Sequence, residues 1–151
     1  MKSRRVLAAV VLAMLAALVL ALPASGAPLA HLETVLTGEK EVPGPGDPNG
    51  IGKAKVTVFR TKVCYTLTFK RIAPATRAHI HQGRPGVAGP IVVTLFERPN
   101  NPVESPARIS DCVDISRSLS EALREHPGRY YVNVHNRPYP DGAIRGQLQR
   151  D

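Results

Sequence analysis

Val63-Cys64-Tyr65-Thr66-Leu67-Thr68-Phe69-Lys70 alternates from end to end. Val63, Tyr65, Leu67 and Phe69 take one side and Cys64, Thr66, Thr68 and Lys70 the other, which is the two-residue period of a strand with one buried face. Upstream, residues 53–59 partly alternate and supply a neighbouring strand, and 29–36 reads as the first strand. Between them, Pro43-Gly44-Pro45-Gly46-Asp47-Pro48-Asn49-Gly50 is too rich in Pro and Gly for regular structure. Downstream, Thr76-Arg77-Ala78-His79-Ile80-His81 alternates again, and after a Gly- and Pro-rich connection the unbroken apolar run 91–96 predicts a hairpin partner covered on both faces. Further strands are predicted near 108–113, over 130–135 and over 143–149, the last two separated by Pro138-Tyr139-Pro140-Asp141-Gly142. Ser118-Leu119-Ser120-Glu121 fits a capping box that opens one short helix, which Pro127-Gly128 ends. With 14 Pro and 12 Gly, this pattern predicts an all-β fold, a Greek-key or immunoglobulin-like β-sandwich with one short helix.

The chain opens on Met1-Lys2-Ser3-Arg4-Arg5, continues through an uncharged apolar run at 6–22, and reaches Pro23-Ala24-Ser25-Gly26-Ala27. A basic start, an apolar centre and a small-residue end are the layout of a secretory signal peptide, so 1–26 is expected to be a leader and 27–151 one exported domain. The alternative is an uncleaved anchor, the one route by which this chain is expected to meet a membrane. Ser3-Arg4-Arg5-Val6-Leu7 partly resembles a twin-arginine signal, although so apolar a run favours the general export route.

The net charge is +8, and Lys2, Arg4 and Arg5 lie in the leader, so the domain keeps a mildly basic exterior. No basic run with interleaved aromatics and no recognition-helix pattern accompanies that charge, and nucleic acid is not an expected partner. Cys64 and Cys112 are the two cysteines, and in an oxidising compartment they are expected to form a disulfide. Metal ligation is the alternative, with no Cys-x-x-Cys pair to support it. A Gly-x-Ser-x-Gly elbow, a phosphate-binding Gly loop and a His-Glu-x-x-His helix are all missing from the sequence.

Ala78-His79-Ile80-His81-Gln82-Gly83, followed by Gly86-Val87-Ala88-Gly89-Pro90-Ile91-Val92, is similar to a signature stretch of the CHRD (chordin-type) domain family. Tyr130-Tyr131-Val132-Asn133-Val134-His135-Asn136, with Tyr139-Pro140-Asp141-Gly142-Ala143-Ile144-Arg145-Gly146-Gln147-Leu148 after it, resembles a second. Leu36-Thr37-Gly38-Glu39-Lys40-Glu41-Val42-Pro43 looks like the family's opening. The resemblance implies an extracytoplasmic β-sandwich domain and little biochemistry, because stand-alone members are largely uncharacterised. Chordin itself is a secreted antagonist of growth factors, but its cysteine-rich modules have no counterpart here, so growth-factor binding does not carry over.

Residues two apart on a strand project from one face, so His79 and His81 can turn their rings to one ion. His135, on the Tyr131 and Asn133 side of a later strand, is the candidate third ligand, and three neutral imidazoles suit copper or zinc with a position left for water. The competing account makes these histidines braces that hydrogen-bond to loop carbonyls, with Asn133, Asn136 and Gln82 as partners. His31 and His126 read as a surface residue and a helix-end residue, and Arg145 lies on the polar phase of the last strand, with Ile144 and Leu148 on the other face, where a surface ion pair would suffice for it. The His-x-His strand, later histidine and Arg145 are also similar to the copper half of Cu/Zn superoxide dismutase, but no bridging histidine or zinc loop is recognisable. A secreted metal-binding module is therefore the expected function; a protein-interaction or envelope-structural domain with an unidentified protein partner is the alternative, and a copper enzyme a third reading.

Overall fold

The computed structural model describes residues 26–151, so the expected leader lies outside the described residues apart from its last residue, Gly26. Strands β1 (Ala30–Thr37), β2 (Ile51–Val58) and β3 (Lys62–Lys70) form an antiparallel meander, and β6 (Ala107–Asp114) pairs with the outer side of β3. The other half consists of β4 (Ala75–Gln82), β5 (Ile91–Glu97), β7 (Tyr130–Asn136) and β8 (Ile144–Gln147), with the short β9 (Gln149–Arg150) against β1. Hydrogen-bonded order runs β5-β4-β7-β8-β1-β2-β3-β6. The chain crosses between the halves after β3, after β5 and after β6, in the manner of a Greek key. Edge strands β5 and β6 approach each other, and the sheet bends into a sandwich that is nearly a closed barrel.

Strand periodicity builds the core directly. Val63, Tyr65, Leu67 and Phe69 point inward as their alternation requires, opposite Val56 and Val58 of β2 and Ile80, Val132 and Val134 of β4 and β7. Tyr65 brings a hydroxyl into this apolar space, where burial demands a partner, and it donates to Leu95 O across the core at 2.8 Å. The expected all-β class with one helix is what the chain adopts.

Three local expectations change. Residues 91–96 are not covered on both faces: β5 is an edge strand that pairs with β4 alone, and Ile91 and Thr94 are exposed. The helix, α1 (Arg117–Glu125), begins earlier than the Ser118 capping box, because Ser116 is its N-cap and its Oγ accepts from Leu119 N at 3.1 Å. Leu123 buries the apolar side of α1, and Ser120 Oγ ties it to Phe59 O. Arg145, read as polar-face surface, is among the most fully buried side chains.

Cys64 and Cys112 face each other across β3 and β6, with sulfurs 2.01 Å apart. No helix among the described residues is long and apolar enough to cross a membrane.

Candidate metal centre

β7 carries two different faces, and both are buried. Tyr130, Val132 and Val134 belong to the apolar core, while Tyr131, Asn133 and His135 look outward from the sheet. Pairing with β4 sets His79 opposite Asn133 and His81 opposite Tyr131, and pairing with β8 sets Arg145 opposite Asn133. One outward patch therefore gathers three histidines, Tyr131, Asn133 and Arg145, a polar set that would ordinarily face water.

Loops cover this patch. His81 Nδ1–H donates to Gly89 O at 2.8 Å, and Gly89 N–H donates to the Tyr131 hydroxyl at 3.1 Å, so Gly89 ties the 83–90 connection to the edges of the two rings. Gly89 has no room for a side chain, because a Cβ there would run into the Gln82 carbonyl. On the other flank, His135 Nδ1–H donates to Pro140 O at 3.0 Å, which pins the 138–142 turn.

These carbonyls decide the tautomers. A carbonyl only accepts, so His81 and His135 each carry their proton on Nδ1 and keep a lone pair on Nε2. Such an arrangement, with one ring nitrogen held by a backbone oxygen, is how metal-binding histidines are commonly oriented. His79 Nδ1 lies 3.1 Å from His135 Nε2, and one nitrogen from each of the three rings falls within 4.8 Å of the others. Metal–nitrogen bonds of ~2.0–2.1 Å in a tetrahedral field put ligand nitrogens ~3.3 Å apart, so ring rotations of about an ångström complete the set. His81 Nε2 is buried without a hydrogen-bond partner.

The rings are neutral at pH 7. Burial pulls His135 down to about 3 and His79 to about 4, with the neighbouring imidazoles adding repulsion, and it also lowers His81. With the rings uncharged, the proton to be moved is the one that His79 Nδ1 donates to His135 Nε2, whose hydrogen bond a cation between the rings would replace.

Next to the trio, the Tyr131 ring is sandwiched between two planar groups. His81 stacks on it at 4.8 Å between centroids, and the Arg145 guanidinium lies 3.4 Å from the ring centre. Arg145 Nη2 donates to Arg84 O and Val87 O, so it too braces the 83–90 loop. It thus stands beyond Tyr131 from the histidines instead of facing them. Glu41 is a residue that sequence reasoning missed, its one signal being its place in the family-like opening at 36–43. Its carboxyl is buried against Gly142, where any Cβ would collide with it, and burial raises its pKa to about 8 against the pull of Arg145.

Stability of the ion-free protein should consequently peak near neutrality. Unfolded imidazoles bind protons below about 6.5, whereas folded His79 and His135 do not until about 4 and 3, so stability falls as pH drops through that window. Glu41 acts oppositely: unfolded, it ionises near 4.5, while folded it resists until about 8, so stability falls as pH rises across that range. The several histidines outweigh the single carboxyl below 6.5, and above it only Glu41 acts. Urea midpoints measured from pH 4 to 9 should be highest around 6 to 7, and a flat profile contradicts the assignment.

Of the sequence-predicted residues, His79, His81 and His135 converge, whereas His31 is exposed at the edge of β1 and His126 caps α1. Asn133 lies within the patch, but Asn136 turns away to bond Ala73 O and Tyr139 N. Gln82 is exposed at the end of β4 and makes no side-chain bond to the trio.

A Greek-key β-sandwich with a loop-covered histidine patch defines the class of this molecule. The family profile described as CHRD domain matches residues 32–148, and the chain belongs to that family. None of the curated proteins and none of the solved structures matches it.

Proposed function

We propose that this CHRD domain is an extracytoplasmic binding module that holds copper or zinc through His79, His81 and His135. The observation that carries this reading is His81 Nε2: a buried lone pair without a partner, beside two further imidazole nitrogens within 4.8 Å. Leaving such an acceptor unmet costs about 1–3 kcal/mol, and a cation meets it together with its neighbours. All-imidazole ligation suits both metals, and storage or sequestration needs no chemistry beyond coordination. The paired cysteines accord with an oxidising compartment, and export through the 1–26 leader belongs to the same proposal.

A second reading rests on the bonds to Gly89 and Pro140, which brace loops whether or not an ion is present. In that case the domain serves an unidentified protein partner or the cell envelope. The copper-enzyme reading is weaker, since the buried Arg145 is screened from the trio by Tyr131.

Calorimetric titration of the metal-stripped protein with Zn2+ and Cu2+ separates the two main accounts. One equivalent should bind to the unsubstituted protein and none at this site after His81→Ala; equal heats for both proteins, or none for either, leave the bracing account.

A further inference from the structure

A second site lies beyond Tyr131 from the histidines and does not depend on them. Arg145 is 1% exposed, and its Nη2 is occupied by the two loop carbonyls. Its Nη1 is buried without an acceptor. Among the described residues the ion pairs are Glu33–Lys53 and Arg124–Glu125; Glu41 is near enough for Arg145 to act on its carboxyl but makes no ion pair with this guanidinium. A buried cation normally has one, because the charge is expensive to remove from water.

Arg145 lines a cavity of about 520 Å³, together with Thr34, Lys40, Glu41, Gly86 and Gln147. Such a volume is in the range of small-molecule sites. Two carboxyls line this cavity: Glu39 is exposed at its edge beside the exposed Lys40, whereas Glu41 is deeply buried, and with its pKa raised to about 8 it is a neutral acid at pH 7 that donates a hydrogen bond without repelling an anion.

We infer that this cavity binds a small organic carboxylate, whose charge is met by Arg145. A planar monoanion matches a planar guanidinium. With Glu39 and Lys40 of opposite sign side by side at the edge, the one buried cation leaves a single net positive charge, which fits a monoanion better than a phosphate dianion. The exposed Gln149 stands at the cavity's rim, where a larger side chain would fill the space without touching the core.

Amide spectra of the purified protein at pH 7 and fixed ionic strength, titrated separately with acetate, succinate and inorganic phosphate, test this. Shifts centred on Lys40, Glu41, Gly86 and Gln147 should saturate with a carboxylate, and Arg145→Lys and Gln149→Trp should each weaken that binding at least tenfold. Gln149→Trp keeps the test decisive if Arg145→Lys does not fold. Saturation by phosphate alone overturns the ligand class. No saturable shift here, or equal affinity in the folded variants, overturns the site, whatever the metal titration of the histidines shows.

Discussion

The double variant Cys64→Ala/Cys112→Ala is expected to lose about 4 kcal/mol of stability, the largest single effect outside the core. The two residues are 48 positions apart, so a bond between them removes the freedom of a long loop in the unfolded chain, and the loop-closure estimate for that length is about 4 kcal/mol. They also join β3 to β6, the edge strand that returns after the chain has visited the opposite half of the sandwich. Thiol titration under denaturing conditions without reductant should find no free thiol in the unsubstituted protein. Two free thiols, or a urea midpoint unchanged by the double substitution, would show that the pair contributes nothing.

His135→Ala should lower copper and zinc affinity by at least about a hundredfold, because removing one of three protein ligands leaves a two-coordinate remnant. The same substitution frees Pro140 O from its donor, and His79 Nδ1 from its neighbour. Some loss of stability should therefore accompany the loss of metal. His135→Gln distinguishes these consequences: an amide can still donate to the turn, yet it is a poor ligand for these ions. Stability should be partly restored by Gln while metal binding is not.

How much of this was legible in the sequence differs between the two faces of the sheet. Val63, Tyr65, Leu67 and Phe69 declared the core, since a strict two-residue period fixes which side chains share a face. The same rule placed His79 and His81 together, and Tyr131, Asn133 and His135 together. Periodicity says nothing of what lies over a face, and the loops at 83–90 and 138–142 make this polar one an interior. Arg145 was misread for that reason: alternation set it opposite Ile144, correctly, but its burial comes from a loop some sixty residues away. The run 91–96 failed in the opposite direction, because composition cannot reveal that a strand will lie at an edge. Meeting of His135 with the His-x-His pair depends on the register of β4 against β7, which long-range pairing sets.

The most direct test is electron paramagnetic resonance of the protein loaded with one equivalent of Cu2+. Coordination by His79, His81 and His135 predicts one species with coupling to three imidazole nitrogens, and loss of that signature after His135→Ala. A signal from copper bound adventitiously, unchanged by that substitution, contradicts a common site for the three rings.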